Sequence, residues 1–209
     1  MIQIKPSYKN AIISQCGKDL QDIHLKTKNI AIYERNIDPL KKELNLISKQ
    51  SIECRLTGTT AEILSSLKDY FIENLTEDDA LYEDIRQLLN LFEKITKASS
   101  FRLLLATIKT NMCRKFHTDI NNLRLLCTYI GPGTLWVPDD AIDAESLRSR
   151  KDPLIDEQKI QQVRTGDAVI LKGALHPQGN PILHRSPSIE KSGEERILLR
   201  IDTNETLIF

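Results

Sequence analysis

The chain has 209 residues, 29 basic and 29 acidic side chains, a formal net charge of zero and 40% hydrophobic residues. That balance excludes a mostly disordered chain, and the even spread of charge argues against a nucleic-acid binder. The opening Met1-Ile-Gln-Ile-Lys-Pro has no secretory signal pattern, no apolar run reaches membrane-spanning length, and Cys16, Cys54, Cys113 and Cys127 form no C-x-x-C pair, so a cytoplasmic protein with reduced thiols and no membrane partner is expected.

Read in chain order, the first hundred residues are mostly helical. Asp38-Pro39 opens a helix continued by Leu40, Leu44 and Ile47 at helical spacing. A second helix starts at Thr59, where Glu62 completes a capping box, and Ile63, Leu64, Leu67, Tyr70 and Phe71 form its apolar stripe. Thr76 caps a third, with Leu81, Ile85, Leu88, Leu89, Phe92 and Ile95 on one face. Each helix has one apolar side and must pack on something.

Near Phe101 the pattern changes to short strands: Phe101 to Ile108, Leu123 to Ile130, Thr134 to Val137, Ala168 to Leu171, Arg196 to Ile201 and Thr206 to Phe209. Such a succession predicts a sandwich or jelly roll. Residues 138–162 interrupt it as a charged surface excursion. The expected division is a helical region over 1–98 and a β-rich core over 99–209.

The chemistry concentrates in Cys113-Arg-Lys-Phe-His117-Thr-Asp119. On an extended chain, His117 and Asp119 point to the same side and can offer an imidazole nitrogen and a carboxylate oxygen to one point. A second histidine from a distant strand would complete a two-histidine, one-carboxylate facial triad, which leaves three adjacent positions open and suits non-haem iron. His184, where the strand pattern resumes, is favoured over His176, whose His-Pro-Gln-Gly-Asn-Pro setting reads as an exposed loop or a supporting group. His24 reads as a surface residue. A zinc site from Cys113, His117, Cys127 and a further histidine is the weaker alternative, because it lacks closely paired ligands and leaves Asp119 unused.

The order of H-x-D, a strand bearing Tyr129, the turn Gly131-Pro-Gly133, Thr165-Gly166-Asp167, Leu183-His184-Arg-Ser-Pro187 and Gly193-Glu-Glu-Arg196 resembles the core of the iron(II) and 2-oxoglutarate dependent oxygenases over residues 100–202. The wording Phe-His-Thr-Asp, Leu-Arg-Leu-Leu-Cys-Thr-Tyr, Gly-Pro-Gly-Thr-Leu-Trp and His-Arg-Ser-Pro is similar to a bacterial family, domain of unknown function 1826, over most of the chain. The resemblance implies an α+β fold, a cupin-like double-stranded β-helix with the N-terminal helices packed on its major sheet. It implies Fe(II) held by His117, Asp119 and His184, with zinc as the alternative metal, 2-oxoglutarate as cosubstrate, and a link to zinc homeostasis. Arg196, twelve residues after His184, would meet the distal carboxylate of 2-oxoglutarate, with Tyr129 reaching the same group and Arg200 as the competing cation. Substrate and oligomeric state have no sequence signal.

Overall fold

The computed structural model describes residues 8–75, 79–143, 156–190 and 192–204. The expected strand from Thr206 to Phe209 and the proposed cap Thr76 lie outside them. The described strands are β1 (Ala11–Ser14), β2 (Ile30–Tyr33), β3 (Glu53–Gly58), β4 (Phe101–Ile108), β5 (Leu123–Ile130), β6 (Leu135–Trp136), β7 (Gln161–Gln162), β8 (Ala168–Lys172), β9 (His184–Arg185) and β10 (Arg196–Thr203). The helices are α1 (Lys41–Ile47), α2 (Thr60–Asn74) and α3 (Ala80–Thr96), with short 3-10 turns between elements.

The helices follow the local signals. Thr59 Oγ1 accepts from the Glu62 N–H while Glu62 Oε2 accepts from the Thr59 N–H at 2.8 Å, closing the capping box of α2. Asp79 at the start of α3 makes no side-chain cap. The buried Glu43 of α1 takes that role across space, accepting from the Leu81 N–H at 2.8 Å. Asp38 and Pro39 form a 3-10 turn that leads into α1 rather than the first turn of the α-helix itself.

A seven-stranded sheet runs in the order β1-β2-β8-β5-β10-β4-β3, and a three-stranded sheet in the order β7-β6-β9. From β5 onward the chain passes back and forth between them, β5 in the large sheet, β6 and β7 in the small, β8 in the large, β9 in the small and β10 in the large, as in the winding of a jelly roll. The first hundred residues are less helical than their sequence suggests, because β1, β2 and β3 all join the large sheet. Ala-Ile-Ile-Ser and Ile-Ala-Ile-Tyr are too short for periodicity to separate strand from buried helix.

Side-chain alternation gives the large sheet two distinct faces. On one, Leu103 and Leu105 of β4, Leu125, Cys127 and Tyr129 of β5, and Ile197, Leu199 and Ile201 of β10 share a single core with Leu67 and Phe71 of α2 and Leu88 and Phe92 of α3. Phe92 and Phe101 meet with ring centroids 5.9 Å apart. On the other, Leu126, Val169, Leu171 and Leu198 cluster with Trp136 of the small sheet. Arg124, Thr128, Arg196, Arg200 and Asp202 occupy alternate positions on this second face. No helix among the described residues is long and apolar enough to cross a membrane.

Candidate metal centre

His117 and His184 sit opposite each other in an isolated antiparallel bridge, each backbone N–H donating to the other's carbonyl at 3.0 Å. Residues so paired project their side chains to the same side, and the two rings lie 4.6 Å apart between centroids. His184 is fixed a second time, since β9 pairs with β6 and sets it against Trp136. Asp119, two residues beyond His117, turns to the same point. Its loop is anchored to the end of β8, where the Ala174 N–H donates to the Asp119 carbonyl at 2.8 Å and the Leu175 N–H to the Asn121 carbonyl at 3.0 Å. The loop lies so close to Gly173 that a Cβ there would fall 2.1 Å from the Asn121 carbonyl oxygen.

The resulting constellation places one donor atom from each of His117, Asp119 and His184 within 4.8 Å of one another, and it is the metal-competent cluster among the described residues. Asp119 Oδ1 is 3.6 Å from His117 Nε2, and Oδ2 is 3.3 Å from His184 Nε2. Each imidazole holds its other nitrogen against a main-chain oxygen: His117 Nδ1 donates to the Lys115 carbonyl and His184 Nδ1 to the Ile182 carbonyl, both at 3.2 Å. Because a carbonyl only accepts, the proton of each neutral ring belongs on Nδ1, and Nε2 aims a lone pair into the centre. Two lone pairs then face a carboxylate with no hydrogen to share, and Asp119 Oδ2 is buried without a hydrogen-bond partner. A divalent cation relieves all three donors at once, so the residues fit a metal of the non-haem iron type.

The surroundings reinforce the charge of Asp119. Burial works to raise its carboxyl, but the close approach of His184, Arg124 and His117 outweighs it and holds it below the usual value. Arg124 Nη1 stands 2.7 Å from Asp119 Oδ1 while its Nε donates to Asp202 Oδ1 at 2.6 Å, so the orientation of the Asp119 carboxylate is set from β5 and β10. Arg124 and Asp202 escaped the sequence reading, although charged residues at alternate positions in the apolar runs Leu-Arg-Leu-Leu and Leu-Arg-Ile-Asp were a signal for them.

Arg196 is 1% exposed on the same face of the sheet. Its Nη2 donates to Thr128 Oγ1 at 2.9 Å, its Nε has no partner, and it forms no ion pair among the described residues. Burial without a compensating carboxylate pushes the guanidinium down to about 10. Gly131, at φ +80°, permits this packing, since a Cβ there would lie 2.9 Å from Arg196 Cγ. Arg200 differs, its Nε lying 3.2 Å from Asp202 Oδ2.

Tyr129 does not join Arg196. It projects from the opposite face of β5, where its hydroxyl donates to Asp84 of α3 at 2.6 Å, and the neighbouring Thr128 supplies the hydroxyl instead. Cys127 likewise faces the helices, its Sγ taking a hydrogen bond from Arg35 Nη2 at 3.2 Å, so the alternative set of Cys113, His117 and Cys127 is not brought together. His176 is buried rather than exposed and lies away from the triad, its Nε2 3.1 Å from Nδ1 of His24.

With this geometry in view, the fold has known counterparts. The chain superimposes on the dioxygenase for auxin oxidation 1 from Arabidopsis thaliana, in its binary complex with 2-oxoglutarate, with a TM-score of 0.56 at 7% identity over 95% of this chain and 93% of that one. A full-length Neurospora crassa protein in complex with alpha-KG gives 0.49 at 12% identity over 98% and 88% of the two chains. A prolyl-4-hydroxylase from Pseudomonas putida gives 0.37 at 12% over 80% and 94%. The first of these establishes a jelly-roll fold shared with an oxygenase. No curated protein sequence matches the chain. The family described as Protein of unknown function (DUF1826) matches residues 14–202, and the chain belongs to it.

Proposed function

We propose that the protein is an Fe(II)- and 2-oxoglutarate-dependent oxygenase. The observation that carries this reading is the convergence of two Nε2 lone pairs and an unpartnered buried Asp119 oxygen on one point. His117, Asp119 and His184 would hold the metal, leaving adjacent positions for a chelating cosubstrate and oxygen. Bound iron would supply oxygen activation at the expense of the 2-oxo acid, a chemistry that belongs to the cofactor.

The chain's own part is positioning. Arg196 with Thr128 offers a buried two-pronged donor site suited to the distal carboxylate of 2-oxoglutarate, whose binding would repay the cost of the uncompensated guanidinium. Arg124 keeps Asp119 ionised and oriented, and Trp136, Leu126 and Leu198 keep water from the space between the sheets. The likeness to the Arabidopsis dioxygenase supports the reading through the fold alone.

The test is anaerobic reconstitution. Fe(II) with 2-oxoglutarate is expected to give a visible charge-transfer band, and oxygen then slow succinate release; His117→Ala is expected to abolish both. Tight zinc binding with no response to 2-oxoglutarate would replace this reading with a zinc-binding jelly roll serving zinc homeostasis.

A further inference from the structure

The register of β3, β4, β10 and β5 aligns Arg55, Leu104, Arg200 and Leu126 in one row and Thr57, Arg102, Asp202 and Arg124 in the next. Both rows lie on the face away from the helices, since the intervening Cys54, Leu103, Leu125 and Ile201 belong to the helix-side core. Four guanidinium groups therefore share one patch beside the metal centre, linked to it through Arg124 and its 2.7 Å contact with Asp119.

The acids present do not balance them. Asp202, 3% exposed, is shared between Arg124 Nε at 2.6 Å and Arg200 Nε at 3.2 Å and also accepts from Asn121. Arg55 pairs with Glu53 at the exposed sheet edge, where such a contact contributes little. Among the described residues the Arg102 side chain makes no ion pair or hydrogen bond and the Arg200 side chain no aligned hydrogen bond, its Nε being buried and unsatisfied. Burial first, then the charges of Arg124, Arg55 and Arg102, push Arg200 below its ordinary value against the pull of Asp202.

Crowded cations with unused donors form a site for an oxyanion, because guanidinium forks match carboxylate, sulfonate and phosphate oxygens. Arg200 stands four residues from Arg196 on the same face of β10, roughly 13 Å along the strand at ordinary strand rise, so one small dicarboxylate would not occupy both positions at one end. We propose that Arg200, with Arg102 and Arg55 beside it, receives an oxyanionic group of a small-molecule substrate and thereby sets which part of that molecule reaches the triad. This rests on the oxygenase reading above and adds the substrate's chemical class to it.

Sulfate and inorganic phosphate are the probes, titrated calorimetrically at low ionic strength into the full-length protein. Arg200→Gln is expected to weaken their binding by about tenfold and the exposed Arg102→Gln by about threefold, with Arg200→Lys recovering part of the loss. In parallel, succinate release from the Fe(II)-loaded protein is followed with small carboxylates, sulfonates and phosphonates against their neutral amides and esters; stimulation by the anions alone is the expected result. Equal stimulation by neutral analogues, stimulation by single-stranded oligonucleotides instead, or sulfate binding unchanged in both Gln variants would overturn the proposal. So would loss of 2-oxoglutarate binding in Arg200→Gln but not in Arg196→Met, which would make Arg200 the cosubstrate's partner. Failure to bind Fe(II) and 2-oxoglutarate at all would sink the oxygenase reading instead, and the sulfate titrations would still report on the arginine patch.

Discussion

The two faces of the large sheet each bury an arginine, and the contrast between them separates structure from function. On the helix side, Arg35 is closed in: its Nη1 pairs with Asp84 at 2.6 Å, its Nη2 reaches Cys127, and its backbone N–H donates to Asp167. Burial opposes its charge, yet the facing Cys127, Tyr129 and Asp84 hold it above its ordinary value. On the side of the candidate metal centre, Arg196 has a threonine hydroxyl and no acid among the described residues, and burial alone pushes it down to about 10. A satisfied buried charge needs nothing further, whereas an unsatisfied one stores a cost that a ligand can relieve.

The largest expected effect belongs to the apolar floor of the helix side. Phe92→Ala removes a fully buried ring that packs on Phe101, and urea unfolding is expected to show a loss of about 3–5 kcal/mol. Next comes the direct contest between the two arginines. Asp84→Asn strands the Arg35 charge and is expected to cost about 3 kcal/mol. Arg196→Met removes a charge with no counterion and is expected to stabilise the ligand-free protein by about 1–3 kcal/mol while abolishing the 2-oxoglutarate band. A shift of the same sign in both variants would erase the distinction between the faces.

Lys172 sharpens the comparison by pH. It is buried at the end of β8, donates to the Leu25 carbonyl at 3.0 Å, and is pushed down to about 8 by desolvation. Between about pH 8 and the unfolded value of about 10.5 the unfolded chain binds more protons than the folded one, so stability is expected to rise with pH there. Thermal melts across that window should show the rise, by about 1–2 kcal/mol, in the native protein and lack it in Lys172→Met. The smallest effect is expected at the end of α3, where Lys97 takes a left-handed conformation at φ 55°. Lys97→Gly relieves it and is expected to add about 0.5–1 kcal/mol to the unfolding free energy.

Much of this was legible locally. The strands Phe101–Ile108 and Leu123–Ile130 stand where their apolar runs begin and end, and the Thr59 capping box closes as its spacing requires. His117 and Asp119 share a side because they are two apart on an extended chain, and His184 meets them across the bridge. The strands β1, β2 and β3 had no counterpart in the sequence reading, since Ala-Ile-Ile-Ser and Ile-Ala-Ile-Tyr are too short for periodicity and Glu-Cys-Arg-Leu-Thr-Gly carries few apolar residues.

Tyr129 marks the boundary most clearly. Alternation along β5 shows from sequence that Tyr129 and Thr128 face opposite ways, but which face meets the helices and which the candidate metal centre is decided only when the sheet is assembled. The chain by itself determined the long elements, the candidate metal-ligating residue types and their mutual order, because those follow from spacing within a few residues. Partner choice for each buried charge, Glu43 for the start of α3, Asp84 for Arg35, Asp202 for Arg124 and, among the described residues, Thr128 but no acid for Arg196, was decided by the tertiary structure, because residues far apart in sequence come within hydrogen-bond reach only through packing.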